Sequence, residues 1–331
     1  MSEPSGRLDT LRRRAVSVPV LVFAAVTLTL VAPIWLPFAL LVDLVRLEFR
    51  FPIARLLAFA VCWCWIELGG VVRAFGLWLQ GRSGDVQAHY DLMAWWSASL
   101  FAALGATIGM RPRWEGAEAL AVGNAVVFAR HASLGDSLLS GWVLANRARL
   151  HPRYVLKKEL LYDPCLDVVG SRVPNHFLDR TANDGSTELP ALRLLAAGMG
   201  PRDICVIFPE GSRTNAAKRE RALARIAEHD PARAARMSSL RRLLPPRWAG
   251  STALVEGAPD ADIVLAWHTG FDGLDSFRGM IREVGRPMTP VRFVTRRIQR
   301  ADVPDGDAFG PWLDEQWLRL DAEVDAALTD T

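Results

Sequence analysis

The longest apolar run lies near the start of the chain. Ala15 to Val42 passes 28 residues without a charge, more than the roughly 20 that a helix needs to cross a bilayer's hydrocarbon core. A secretory signal has an apolar region of about 7 to 15 residues and then a small-residue cleavage site. This run fits neither feature and is expected to stay in the membrane. Pro33 and Pro37 interrupt it, with Arg7, Arg12, Arg13 and Arg14 before it and Arg46, Arg50 and Arg55 after it. A re-entrant hairpin keeps both cationic flanks on the cytoplasmic side, whereas a single crossing exports the second. Leu56 to Gln80 is also apolar but carries Glu67 and Arg73, which suits a second span or an interfacial helix. Residues 1–85 are thus expected to be membrane-anchoring helices, and residues 86–331 a folded domain facing the cytoplasm.

The pattern changes within that second part. Leu92 to Met110 is uncharged and predicts a docking helix leading into a strand. Beyond it, short apolar runs alternate with helical stretches, the pattern of an α/β domain. Strands are expected at Ala125 to Ala129, Tyr154 to Leu156, Ile204 to Phe208 and Ile263 to His268. The run Ile204-Cys-Val-Ile-Phe208 is apolar at every position, so it should be buried on both faces. Helices are expected at Ser137 to Leu150, Leu189 to Ala197, Ala216 to Ala227 and Pro311 to Leu328.

Charge adds one local feature. The net charge of +3 points to neither a nucleic-acid binder nor an acidic solvating protein. Between Arg213 and Arg247, however, ten Lys/Arg face only Glu220, Glu228 and Asp230. Such a stretch suits anionic lipid heads or phosphates, or forms a solvated basic face. The four cysteines, at 62, 64, 165 and 205, have no C-x-x-C spacing and no histidine cluster, so no metal is implied.

Two stretches carry candidate chemistry. The strand Ala125 to Ala129 runs into Arg130-His131 and, five residues past the histidine, Asp136, where an apolar helix begins. Across a strand-to-helix turn the carboxylate can fold back on the imidazole, which makes a general base for an alcohol. The same residues equally suit a helix cap and an ordinary turn histidine. The second stretch, Phe208-Pro-Glu-Gly-Ser-Arg-Thr214, follows the buried strand. Its glycine permits close backbone approach, and Ser212, Arg213 and the next helix start are donors for a phosphate. Two shorter pieces lie between, Lys157-Lys158-Glu159-Leu160 and Phe177-Leu178-Asp179-Arg180.

In this order the four pieces resemble the motifs of the lysophosphatidic acid acyltransferase family of glycerolipid acyltransferases. His131 and Asp136 match its H-x4-D motif, Lys157 its K-x-E-L block, Phe177 to Arg180 its F-I-D-R block and Phe208 to Arg213 its F-P-E-G-T-R motif. Leu244-Pro-Pro-Arg247 with Gly250, Arg296-Arg297-Ile298 with Val303-Pro304, and the Trp312 helix resemble the longer, multi-span branch. Arg130 departs from the asparagine common before the histidine, and Ser212 from the commoner threonine.

The resemblance implies an α/β catalytic domain, with a mixed sheet flanked by helices and a C-terminal helix, tethered to the cell membrane by the N-terminal module. It implies transfer of a fatty acyl group to the free hydroxyl of lysophosphatidic acid or a related lysophospholipid in phospholipid biosynthesis. The donor is acyl-CoA or acyl carrier protein, without a cofactor. His131 oriented by Asp136 would be the base. Lys157, Arg180 and Arg213 would hold the acceptor phosphate, Gly211 and Ser212 would steady the oxyanion, and Glu210 would organise the loop. A rival reading shares the position, because Gly135-Asp136-Ser137-Leu138 spells the nucleophile block of GDSL hydrolases, a serine esterase built on Ser137. No D-x-x-H partner for it exists, since Ala148, Val173, Ile226 and Leu265 stand three before His151, His176, His229 and His268.

Overall fold

The computed structural model describes residues 6–133, 135–178, 185–271, 274 and 276–329. Among them the α-helices are α1 (Arg7–Leu30), α2 (Ala32–Val45), α3 (Pro52–Leu79), α4 (Val86–Thr107), α5 (Asp136–Gly141), α6 (Pro164–Gly170), α7 (Gly185–Ala196), α8 (Ala216–Ala227), α9 (Pro231–Met237), α10 (Trp248–Gly257), α11 (Phe277–Val284) and α12 (Phe309–Thr329). The strands are β1 (Arg113–Glu115), β2 (Ala125–Ala129), β3 (His151–Lys157), β4 (His176–Leu178), β5 (Asp203–Ile207), β6 (Asp262–Thr269) and β7 (Arg292–Ile298).

The long apolar run becomes α1 and α2, which break at Val31. Pro33 falls in the first turn of α2, where its missing N–H costs no hydrogen bond. The start of α3 is fixed from outside, because the buried Asp43 carboxylate accepts the amides of Ile53 at 3.3 Å and Ala54 at 3.1 Å. Leu8–Leu30 and Pro52–Leu79 are long and apolar enough to cross a membrane. Phe23, Leu30, Ile34, Phe38 and Phe75 are exposed on this module, a larger apolar surface than a soluble face usually carries.

The charges that interrupt the apolar pattern dock the module onto the rest of the chain. Glu67 on α3 turns inward, accepting the indole N–H of Trp96 at 2.7 Å and of Trp63 at 3.1 Å, and the Cys165 amide at 3.2 Å. Arg13 and Arg14 of α1 both reach the buried Asp167 of α6, at 2.8 and 3.1 Å. Burying these carboxylates is tolerable because every one of these contacts brings a donor.

The sheet runs β1-β7-β6-β2-β5-β3-β4. β6 and β7 are antiparallel and the other pairs parallel, as a mixed sheet requires. Central β2 pairs Val126 with Cys205 of β5 and with Ile263 of β6, and is buried along its whole length. One face packs Phe128 and Val126 under Leu192, Leu254 and Trp317 from α7, α10 and α12. The opposite face packs Val127 under Phe101 of α4 and Leu139 of α5. Because β2 and β5 are parallel neighbours, the loops that follow them leave the same end of the sheet and come together there.

The helix expected from Ser137 to Leu150 is shorter. It gives way after Gly141 to a π-helical turn, Trp142–Arg147. The wider turn buries both Val143 and Leu144, while Ser140 Oγ meets Tyr154 Oη at 3.0 Å. β1, β4 and β7 were not expected from the pattern. The first two have three residues each, and β7 carries three arginines that ion pairs offset: Arg292 with Glu115 at 2.8 Å, Arg296 with Glu323 at 3.5 Å and Arg297 with Asp262 at 2.7 Å.

Candidate active site

The turn after β2 folds back on its own carboxylate. Asp136 opens α5, and its Oδ2 accepts the amides of Ala132 at 2.5 Å and Ser133 at 2.8 Å while lying 3.0 Å from His131 Nδ1. Oδ1 accepts the Ser133 hydroxyl and stands 3.0 Å from Nε2 of His268 on β6, off the line of a hydrogen bond. Burial alone would raise the Asp136 carboxyl. The His268 imidazole and the hydrogen bonds from His131 and Ser133 outweigh it and hold the group well below the usual carboxylate range. An ionised Asp136 puts the proton of His131 on Nδ1 and leaves Nε2 as an acceptor. The ring packs on Phe208 at 4.8 Å between centroids.

Glu210 ties this turn to the loop after β5. Its Oε1 accepts the His131 amide at 2.7 Å, and Oε2 accepts the Leu244 amide at 2.9 Å and the Thr214 hydroxyl. Thr214 in turn donates its amide to the His131 carbonyl at 2.9 Å. Burial pushes the Glu210 carboxyl up to about 7, against the opposing pull of Thr214, the two amides and Arg130. Below its ordinary 4.5 it is neutral folded or unfolded, so no stability depends on it there. Between 4.5 and about 7 only the unfolded chain ionises, so stability should fall as pH rises through that window, by on the order of 3 kcal/mol, and then level off. Unfolding of the full chain in detergent from pH 5 to pH 8 checks this. Glu210→Gln should flatten the fall, and an equal slope in both proteins would show that another group carries it.

A cavity of about 330 Å³ opens beside His131, with Lys157, Gly211, Arg213 and Arg247 in its wall. A second cavity of about 440 Å³ is almost wholly apolar and runs from the same turn toward α3 and α4, past Leu56, Phe59, Leu100 and Phe101. Ser133, Ser137, Leu156 and Leu160 line both. Residues 111–265 match the family model described as Acyltransferase. This stretch is an acyltransferase domain. Nothing among curated proteins matches the chain. A solved structure, the 1-acyl-sn-glycerophosphate (LPA) acyltransferase PlsC from Thermotoga maritima, is 14% identical with a TM-score of 0.47, over 94% of this chain and 98% of that one. The assignment rests on the family match.

Within the acyltransferase domain the structure gathers His131, Asp136, Lys157, Glu210, Gly211 and Arg213 around one cavity mouth or directly behind it. Ser212 is half-buried and does not line the cavity. Gly211 has a φ of +69° and donates its amide to the Phe208 carbonyl at 2.9 Å. That amide is therefore engaged within the loop rather than turned toward the cavity. Arg180 lies outside the described residues. Arg130 does not line the cavity, and its Nη1 donates to the His268 carbonyl at 2.5 Å. Helix α8 starts at Ala216 with its own cap, Asn215.

Two residues at the site escaped the sequence reading. His268 ends an apolar strand and lacks the D-x-x-H spacing of a partner for Ser137, and nothing in that strand signals that it faces Asp136. Arg247 ends the basic stretch and belongs to the Leu244-Pro-Pro-Arg247 segment, but neither feature signals that it stands in the cavity wall beside His131.

Proposed function

We propose that this acyltransferase moves a fatty acyl group from an acyl thioester, acyl-CoA or acyl carrier protein, onto the free hydroxyl of lysophosphatidic acid or a closely related lysophospholipid at the cytoplasmic face of the cell membrane. The observation that carries this reading is the placement of the His131–Asp136 pair where a cationic cavity and an apolar cavity meet. A phosphorylated glycerol head fits the first and an acyl chain the second. His131 Nε2 takes the proton of the acceptor hydroxyl as its oxygen attacks the thioester carbonyl. The tetrahedral intermediate collapses, the carbon–sulfur bond breaks and the thiolate leaves with the proton from the imidazolium. Asp136 stabilises that imidazolium. Ser137 Oγ makes no hydrogen bond to a histidine among the described residues, which favours direct transfer over a serine acyl-enzyme. The exposed apolar faces of α1 to α3 and the basic stretch of α8 support residence at an anionic membrane.

Purified full-length protein, offered acyl-CoA or acyl carrier protein with a panel of lysolipids, should yield diacyl products resolved by mass spectrometry, foremost from phosphorylated acceptors. Hydrolysis of lipid esters without any acceptor-dependent transfer would overturn the proposal. In the same assay Arg213→Ala should raise the KM for the phosphorylated acceptor about 10- to 150-fold, the loss of one charge-assisted donor worth about 1.5 to 3 kcal/mol, and leave donor KM nearly unchanged.

A further inference from the structure

We propose that Arg247 is a second binding residue for the acceptor phosphate, forming with Arg213 a two-guanidinium clamp for a phosphate monoester; this rests on the acceptor reading above. The segment that carries Arg247 is held to the catalytic loop by backbone contacts. Its own amide donates to the Pro209 carbonyl at 2.9 Å, and the Leu244 amide donates to Glu210 Oε2 at the same distance. Pro245 and Pro246 stiffen the chain between those two anchors.

The side chain then lies flat against Gly211. A Cβ added there would stand 2.7 Å from Arg247 Nε and 2.8 Å from Cζ, so a glycine is needed for the guanidinium to occupy this seat. The left-handed φ of Gly211 and the close approach of Arg247 thus require glycine independently. Both Arg213 and Arg247 face the cavity that His131 lines, and among the described residues no carboxylate pairs with either guanidinium. Glu188, the carboxylate in the same wall, is engaged by His176 at 2.6 Å. Two unpaired forks on one wall suit a dianionic monoester, which offers three oxygens, better than a diester with two.

The test compares wild-type protein with Arg247→Ala and Arg247→Lys, using the full chain in detergent and three acceptors: 1-acylglycerol 3-phosphate, lysophosphatidylglycerol and monoacylglycerol. Arg247→Ala should raise the KM for the monoester about tenfold or more, with kcat and the monoacylglycerol kinetics within about twofold of wild type. Arg247→Lys should recover only part of the loss, because an ammonium restores charge without the planar fork. Equilibrium binding of each acceptor without donor is measured alongside. Wild-type protein that binds the monoester tenfold better than Arg247→Ala, yet transfers no acyl group, would overturn the acyltransfer reading and still support the clamp. Equal loss on all three acceptors, or an unchanged monoester KM and affinity, would overturn the clamp.

Discussion

His131→Ala is expected to lower acyl transfer by at least about 10² to 10⁴, the usual contribution of a positioned acid-base group. In the proposed mechanism the imidazole accepts the proton of the acceptor hydroxyl and returns it to the leaving thiolate, and no other described side chain in the 330 Å³ cavity combines a ring nitrogen with a buried ionised partner. Asp136→Asn should be comparably severe. It removes the negative charge that stabilises the imidazolium, and it leaves one accepting oxygen where the carboxylate uses two, Oδ2 for Ala132, Ser133 and His131 and Oδ1 for the Ser133 hydroxyl. Ser137→Ala should retain near-wild-type turnover, since that hydroxyl has no part in the proton path. The three variants are compared in one assay of transfer from a thioester to lysophosphatidic acid, with intact folding checked by melting. A folded, inactive Ser137→Ala beside an active His131→Ala would reverse the assignment and favour a serine nucleophile.

Trp317→Ala should cost about 3 to 5 kcal/mol of stability, the range for removing a large aromatic side chain from a packed core. Trp317 is fully buried on α12, within the cluster that covers one face of the sheet. Its indole N–H donates to the Leu244 carbonyl at 2.9 Å. One turn further along the same helix, Asp321 accepts the amides of Arg241, Arg242 and Leu243 at 2.8, 2.7 and 2.7 Å. Leu244 passes this restraint to Glu210, which holds the His131 amide. Activity should therefore fall along with stability. Trp317→Phe separates the two contributions, because it keeps most of the volume and loses mainly the hydrogen bond, about 1 kcal/mol. Chemical unfolding of both variants measures the split. A Trp317→Ala protein as stable as wild type would show that α12 does not brace the catalytic loop.

The order of four short motifs pointed to an acyltransferase, and the match of residues 111–265 to the model described as Acyltransferase agrees with that much. The mixed α/β sheet was likewise expected, and β2, β3, β5 and β6 lie where apolar runs predicted them. β2, β5 and β6 are legible because burial on both faces demands continuous apolar sequence, whereas β3 is buried only at alternate positions and shows just its short Tyr154 to Leu156 run. β7 was illegible for the opposite reason: Arg292, Arg296 and Arg297 hide its character until their partners arrive from β1, β6 and α12. The break at Val31, by contrast, was marked by Pro33, which falls in the first turn of α2, while Pro37 is accommodated within that helix.

By itself the sequence determined the properties that are local in the chain: the apolar N-terminal helices, the buried parallel strands, and which side chains could perform proton transfer or hold a phosphate. Spacing of five residues left His131 and Asp136 open between a base pair and an ordinary capped turn. Only the tertiary structure placed both oxygens of that carboxylate, one toward His131 and the other toward His268, which lies more than 130 positions further along the chain. It likewise brought Arg247 across Gly211 and turned Glu67 from an interruption of α3 into an anchor for Trp63, Trp96 and Cys165. The physical reason is range. Helix and strand preferences act over a few residues, whereas the partners that satisfy a buried charge are set by the packing of elements remote in sequence.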